Sequence, residues 1–253
     1  MAPGPATRRD VAILVASVLV VALVGTLVSL VVGRSWLPGV DDCTVEVGGR
    51  SAGLSTDEAE RAATAAARGV RRGWSLPRVT TAVADATGAS SADARLATLA
   101  LTGRARHALV CDHGGSSEES SDRLDASGLT RRAAVVRRAV DAAFGRQAVG
   151  GFAPGGVSSG HMPGSAHYEG RAVDVFYRPA GPAQKTRGWA TAQWLVAQAD
   201  RFAIETVIFD GRIWTARRAG QGWRDYAPDV AGRPRSVALV LEHRDHVHVD
   251  VAD

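Results

Sequence analysis

Two short segments in the C-terminal half of the chain alternate valine with polar residues. Residues 173–177 read Val-Asp-Val-Phe-Tyr, and residues 246–251 read His-Val-His-Val-Asp-Val. Such alternation is typical of strands that bury one face in a core. In the first strand the carboxylate of Asp174 faces away from the valines. In the second strand the same holds for three polar side chains: His246, His248 and Asp250.

The residues around these strands predict two amphipathic helices. The first runs from Thr130 to Phe144, with an apolar stripe formed by Val135, Val136, Val140 and Ala143. The second runs from Thr186 to Phe202 and places Trp189 on the side opposite its broad apolar face. That face carries Ala190, Trp194, Leu195 and Phe202. Stripes of this kind usually pack into a core.

Residues 206–209 and 212–215 flank Asp210-Gly211, which is a strong signal for a two-residue hairpin. The order helix, strand, helix, hairpin, strand predicts an α+β domain with a mainly antiparallel sheet over residues 129–253. Three aromatic residues in this region line either a cleft or the core, with the core favoured: Trp214, Trp223 and Tyr226.

The chain begins with a long apolar segment. Residues 11–32 carry no charge and are almost wholly aliphatic, which is enough for a helix to cross a bilayer. Arginines precede the segment and aspartates follow it. The positive-inside rule therefore predicts a cytoplasmic tail at 1–10, a transmembrane anchor at 11–33 and an extracytoplasmic remainder. A cleaved signal peptide is the alternative, and it exports the same remainder.

Residues 43–111 predict a small helical extracytoplasmic unit. Ser55-Thr56-Asp57-Glu58 has the capping-box sequence that begins a helix, and Pro77 and Ser91 can begin two more. Residues 112–128 contain a polar run rich in glycine, serine and acidic residues, which predicts a linker. We interpret the helical unit as a spacer or a segment that contacts the cell wall.

The chain has two cysteines, Cys43 and Cys111. An even number in an exported protein predicts one disulfide, and two separate buried thiols are the alternative. Neither lies near the histidine motifs at 167–174 and 245–248, so we expect neither cysteine to bind the zinc. The formal net charge of +4 suits contact with an anionic cell wall or lipid headgroups. It is too weak to indicate a nucleic-acid partner.

Residues 167–174 and 245–248 contain histidines and acids enough to supply two imidazoles, a carboxylate and a spare acid. A catalytic zinc site with an open fourth position requires such a set. His167 is an odd number of residues from Asp174, so the two cannot share a face of one continuous strand. Gly170 between them can take the positive φ that folds the histidine loop back over the strand.

These residues resemble a known signature. Ser165-x-His167-x-x-Gly170-x-Ala172-x-Asp174, with a later acid-x-x-His, is similar to the motif of the zinc D-Ala-D-Ala peptidases. Their fold is shared with the LAS murein endopeptidases and the Hedgehog signalling domain. Residues 160–167 and 245–249 also resemble a bacterial membrane-anchored group of uncharacterised peptidase-like domains.

The resemblance covers residues 129–253 and implies zinc as the cofactor. Carried over by position, it implies three zinc ligands: His167, Asp174 and His248. It further implies Asp245 as the general base, and His246 as a residue that supports the ligands or the transition state.

The chain departs from that family at one position. Such peptidases place an arginine in a Gly-Tyr-Arg-like segment before the first histidine, where it holds the substrate carboxylate or the developing oxyanion. The matching segment here is Gly151-Phe152-Ala153. Three other arginines are candidate substitutes, and the sequence selects none of them: Arg146, Arg171 and Arg218.

The sequence thus predicts a membrane-anchored zinc peptidase acting on peptidoglycan peptides, with the cell wall and the membrane as partners. The missing arginine leaves a second hypothesis open, a wall-binding module with a structural or vestigial zinc. A glycosidase with Glu169 and Asp245 as paired carboxylates is a third, and it gives the three histidines no role.

Overall fold

The structure, a computed structural model, describes residues 42–118, 120–121 and 123–252. The predicted anchor at 11–33 lies outside these residues. Among the helices that the structure describes, none combines the length and the apolar character needed to cross a bilayer.

The described residues form six α-helices and nine strands. The helices are α1 (Thr56–Arg71), α2 (Leu76–Thr87), α3 (Ser91–Leu101), α4 (Arg131–Phe144), α5 (Pro182–Ala197) and α6 (Arg235–Leu241). The strands are β1 (Cys43–Val47), β2 (Arg50–Leu54), β3 (Leu109–Cys111), β4 (Val149–Gly150), β5 (Ala172–Phe176), β6 (Ile204–Phe209), β7 (Arg212–Thr215), β8 (Arg224–Asp225) and β9 (His246–Val251).

The strands form two antiparallel sheets. The small sheet has the order β2-β1-β3, and the large sheet has the order β4-β5-β9-β6-β7-β8. Every pair of neighbours in both sheets runs antiparallel. The fold is therefore α+β with antiparallel sheets, as the order of elements predicts.

Local sequence accounts for the start of α1. The hydroxyl of Ser55 accepts from the amide of Glu58, and the amide of Ser55 donates to the Glu58 carboxylate over 2.8 Å. This reciprocal pair satisfies two amides that a helix start leaves open. Residue 90 rather than the predicted Ser91 caps α3, because the Ser90 hydroxyl accepts from the amide of Asp93.

Cys43 and Cys111 form a disulfide across the small sheet. They lie directly opposite each other on the antiparallel strands β1 and β3, and both are fully buried. Closing the chain over a separation of 68 residues stabilises the fold mainly by restricting the unfolded chain.

Residues 43–111 pack directly on the C-terminal half, with which they share one compact unit and a continuous core. Helix α5 is the shared element. It contacts α1, α3 and β3, and it also contacts β6 and β9 of the large sheet. Residues Gly188–Ala197 of this helix are therefore buried on every side, including Trp189 on the face predicted to lie opposite the apolar one.

Gln193 on α5 joins the two halves by hydrogen bonds. Its side-chain oxygen accepts from the amides of Ala108 and Leu109, at 2.8 and 2.9 Å. Its side-chain nitrogen donates to the carbonyls of Ala100 and Ala105, at 2.7 and 3.0 Å. One fully buried amide thus satisfies four backbone groups of the preceding segment.

One predicted core position is exposed, whereas two tryptophans lie in the core region that the sequence favours. Val135 is 36% exposed, so the predicted stripe on α4 is wrong there, and the buried face instead uses Ala133 and Ala134 with Val136 and Val140. Trp214 and Trp223 belong to the core region, where their indole nitrogens donate to the carbonyls of Cys111 and Leu109.

We expect Gln193→Leu to lower the free energy of unfolding by about 3 kcal/mol or more, because it removes four hydrogen bonds and leaves the buried amides of Ala108 and Leu109 without this acceptor. Urea denaturation of the full-length chain measures this. Gln221→Leu is the control, because Gln221 is exposed. The free energy of unfolding of this variant should change little. Equal effects of the two substitutions would mean that the hydrogen bonds of Gln193 do not hold the halves together.

Candidate metal centre

Strands β5 and β9 bring two side chains of the predicted ligand set together. Asp174 and His248 are directly opposite in the antiparallel register, so their side chains emerge on the same face of the sheet. The valines of β9 are buried on the other face. The predicted alternation therefore holds, although the histidine face is buried as well, with His248 only 7% exposed.

His167 reaches the same point from a 3-10 turn, Ala166–Glu169. The turn ends at Gly170, whose φ of 69° is in the left-handed region. A Cβ at this position would lie 2.7 Å from the carbonyl oxygen of Gly128. Glycine is therefore required for both conformation and space, and the chain folds back over β5 as the sequence predicts.

The polar atoms of these residues form a nearly equilateral triangle. His167 Nε2 lies 3.1 Å from His248 Nδ1 and 3.3 Å from Asp174 Oδ1, and His248 Nδ1 lies 3.2 Å from Asp174 Oδ1. Tetrahedral zinc with bonds of about 2.0–2.1 Å separates neighbouring ligand atoms by about 3.3 Å. The spacing of the triangle therefore fits three ligands of one zinc ion.

The outer ring nitrogens of the two histidines have acceptors of their own. His167 Nδ1 donates to the carbonyl of Gly151 at 2.8 Å, and His248 Nε2 lies 3.3 Å from a carboxylate oxygen of Asp250. A Cβ on Gly151 would lie 2.2 Å from the His167 ring, so only glycine permits this approach. Protons held on the outer nitrogens leave the inner nitrogens as electron-pair donors.

The carboxylates around the triangle favour positive charge on or near His248. Burial lowers the pKa of His248, but hydrogen bonds to Asp174 and Asp250, and the charges of both carboxylates, raise it to about 9. Burial raises the pKa of Asp174, yet its hydrogen bonds to His167 and His248 hold it far below the ordinary range. The site therefore favours either a proton on His248 or a metal ion bound by all three atoms.

Asp245 and His246 lie beside the triangle as a hydrogen-bonded pair. His246 Nδ1 is 2.8 Å from Asp245 Oδ1, and its Nε2 is 3.8 Å from Asp174 Oδ1. The second oxygen of Asp245 accepts from Arg178 Nε at 2.6 Å. Burial raises the pKa of Asp245, but the bonds from His246 and Arg178 outweigh it and lower that pKa. Both oxygens of an ionised Asp245 are thus engaged.

Arg178 lies beside the site through its contact with Asp245, although the sequence patterns do not single this arginine out. Its guanidinium stacks over Phe176 at 4.1 Å, just beyond the end of β5. Among the predicted substitutes, Arg171 donates to Glu169 and to the carbonyl of Val251. In the sequence, the only sign of a role for Arg178 is its position just after the strand that carries Asp174. That position does not reveal that the Arg178 side chain contacts Asp245.

Two further histidines lie beside the triangle, and neither was among the predicted site residues: His161 and His243. The ring of His161 stacks on that of His167 at 3.9 Å, and its backbone bonds to the hydroxyl of Tyr168. The ring of His243 lies 4.5 Å from that of His246. Burial, with the charges of His248 and His246, lowers the pKa of His243 to about 3. It is therefore neutral at physiological pH.

We expect the stability of the chain in chelator to fall as pH rises from about 6.5 to 9. The pKa of His248 is raised from 6.5 to about 9 in the folded state. Its stabilising charge is therefore fully present below the unfolded pKa and lost as pH passes through the folded one. Urea denaturation in EDTA at several pH values measures this.

With zinc present the trend should reverse, since the metal competes with the proton for His248. Asp250→Asn should weaken the pH dependence in chelator, whereas Asp200→Asn, at an exposed position, should not. The same slope with and without zinc would exclude shared occupancy of the triangle by proton and metal.

Comparison with known families gives one partial match. The family model described as the C-terminal domain of VldE matches residues 125–234. The matched region contains His167 and Asp174 and ends before β9, which carries His248. No curated protein and no solved structure matches the chain. The resemblance to the zinc D-Ala-D-Ala peptidases gains nothing from these comparisons and stays a prediction, while part of the chain is similar to the VldE C-terminal domain.

Proposed function

We propose that the chain is a zinc-dependent peptidase, anchored in the membrane and acting outside the cell on peptides of peptidoglycan. The observation that supports the chemistry is the triangle of His167 Nε2, Asp174 Oδ1 and His248 Nδ1, with edges of 3.1–3.3 Å. The membrane anchor and the peptide substrate rest on the apolar residues 11–32 and on the motif resemblance.

The composition of the triangle supports zinc over harder cations. Two imidazoles and one carboxylate are a borderline donor set, whereas calcium and magnesium prefer six or more oxygen ligands. Of two groups of possible ligands within the described residues, one includes the disulfide-bonded Cys43 and Cys111, and the other has three members, His167, Asp174 and His248. Structural zinc sites normally have four protein ligands, and catalytic sites have three with one position left for a reactant.

When bound, zinc would supply Lewis acidity that acidifies a water molecule and polarises a carbonyl group. The resemblance assigns the general base to Asp245, but the hydrogen bonds favour His246. Asp245 uses both oxygens, one with His246 and one with Arg178. His246 keeps Nε2 on the side of the triangle, 3.8 Å from Asp174. In this arrangement Asp245 orients His246, which accepts and returns the proton.

Arg178 supplies the cation that the Gly151-Phe152-Ala153 segment lacks. Contacts with Asp245 and Phe176 fix its guanidinium, yet its side chain is 52% exposed. Its hydrogen bond to Asp245 uses Nε, so the two terminal nitrogens can take a substrate carboxylate or a developing oxyanion. This role explains how the site can work without an arginine before the first histidine.

One observation favours the second candidate, a wall-binding module with a structural zinc. The three ligand residues are only 3–7% exposed, and His161 covers the ring of His167. In this conformation the three residues expose little surface to a substrate. The neighbouring Met162 is 64% exposed. Metal content and turnover, measured together, separate the two candidates.

We expect the purified full-length chain to hold one zinc ion, and His248→Ala to lose it. His246→Gln should keep the zinc and lower turnover of a D-Ala-terminated muropeptide by about 10²-fold or more, because it removes the proton acceptor. Elemental analysis and product assay measure the two effects. If His246→Gln loses the metal as well, His246 is a fourth ligand and the structural zinc is favoured.

We expect Arg178→Ala to raise the KM for a peptide with a free C-terminal carboxylate by about tenfold, because a charge-assisted pair is lost. The amidated form of the same peptide should be unaffected. Arg217→Ala is the control, since Arg217 is also exposed. An equal loss of kcat on both peptides would assign Arg178 to the oxyanion, and no change on either would remove it from the site.

A further inference from the structure

A loop between β4 and the 3-10 turn Ala166–Glu169 brings His161 onto the candidate ligand His167. The rings of the two histidines stack, with their centroids 3.9 Å apart and their planes inclined by 21°. Gly160 and Gly164, on either side of His161, have φ values of 92° and 74°, and a Cβ on either would meet no atom within 4 Å. Glycine is therefore needed at these two positions for conformation and not for space.

The other polar contacts of His167 act at the edges of its ring. Nδ1 donates to the carbonyl of Gly151 at 2.8 Å, and Nε2 lies 3.1 Å from His248 Nδ1 and 3.3 Å from Asp174 Oδ1. These contacts set the direction of the two nitrogens but do not cover a face of the ring. His161 lies against one face. His167 can therefore leave the triangle on that side only by displacing the stacked ring.

The hydroxyl of Tyr168 holds His161 through both of its backbone groups. It accepts from the amide of His161 at 3.0 Å and donates to the carbonyl of the same residue at 2.5 Å. A hydroxyl has one proton to donate and lone pairs to accept, so the two bonds are compatible. The tyrosine ring also meets the His161 ring edge-on, with centroids 5.9 Å apart. Because Tyr168 follows His167 directly, the turn that supplies the ligand also holds the residue that covers it.

The side chain of His161 contributes an aromatic surface rather than a polar bond. Neither of its ring nitrogens forms a hydrogen bond with any residue that the structure describes. His161 also lies outside the group of convergent ligand atoms, whose members are His167, Asp174 and His248. In this conformation it is therefore neither a ligand nor a hydrogen-bond partner of a ligand. Contact between aromatic rings is favourable beyond the area that it buries.

We propose that His161 is a positioning residue for the metal centre. Its ring, held by the Tyr168 hydroxyl, keeps His167 directed at the triangle and slows the release of the bound ion. Outer partners of metal ligands commonly contribute about 10–100-fold to metal affinity. The contact is a stack and not a hydrogen bond, which places its effect near the lower end, at about tenfold. This role requires the zinc binding of the proposed function but not the peptidase activity.

The test is the rate at which the zinc-loaded full-length chain, in neutral detergent, loses its ion to excess chelator. His161→Ala should release zinc about tenfold faster than the wild type, because one face of His167 is uncovered. Tyr168→Phe should also release zinc faster, since it keeps the ring but frees the backbone of His161. His161→Phe should restore slow release, because it retains an aromatic ring in the stack.

Tyr226→Phe is the control for the loss of a hydroxyl. Tyr226 also packs against a histidine beside the triangle, His243, but its hydroxyl forms no hydrogen bond with the residues that the structure describes. Zinc release from this variant should match the wild type. Urea denaturation in chelator checks that each variant folds. If His161→Ala does not fold, the comparison of Tyr168→Phe with Tyr226→Phe decides.

Cobalt(II) in place of zinc gives a second measurement, because its visible absorption bands report the ligands and geometry of the ion. His161→Phe should leave these bands unchanged. A changed spectrum, or release as fast as from His161→Ala, would make a nitrogen of His161 a ligand and overturn the positioning role. Unchanged release from both His161→Ala and Tyr168→Phe would overturn it as well. Peptide turnover does not enter these measurements, so the peptidase can fail while the positioning role holds, whereas a wild-type chain without zinc would overturn both.

Discussion

Three electron-pair donors meet in a buried site, and this constraint governs the rest of the metal centre. Two inward imidazole nitrogens and one carboxylate oxygen lie 3.1–3.3 Å apart, an arrangement that a proton on His248 or a bound cation would stabilise. Gly151 and Asp250 hold the histidine protons on the outside, which directs the lone pairs inward. A proton on His248 satisfies the constraint only in part, since it bonds to one or two neighbours, whereas a metal ion engages all three.

The register of the large sheet and the buried helix α5 position the residues of this site. The register of β5 and β9 sets Asp174 opposite His248, and a shift by one residue would turn both to the wrong face. Helix α5 packs beneath the large sheet and joins it to the small sheet through Gln193. The disulfide-linked N-terminal segment therefore packs against the helix that supports the candidate site.

Local patterns in the sequence predict where helices and strands lie better than which strands pair and which side chains meet. Strand β9 appears at His246–Val251 as its alternation predicts, and the Asp210-Gly211 turn joins β6 to β7. Strands β1 and β2 pair locally through Gly48-Gly49, but the pairing of β1 with β3 spans the N-terminal segment and was beyond local pattern. The same holds for Arg178, whose role follows from a contact with Asp245, distant in sequence. Which of Asp245 and His246 faces the triangle depends on side-chain hydrogen bonds that spacing does not encode.

X-ray absorption at the zinc edge of the purified full-length chain tests the central claim most directly, because it reports the atoms bound to the metal. The account predicts about four nitrogen or oxygen neighbours at about 2.0–2.1 Å, with the multiple-scattering pattern of two imidazoles and no sulfur. His248→Ala should remove this spectrum. A sulfur neighbour at about 2.3 Å, or six oxygen neighbours, would place the metal elsewhere and contradict the account.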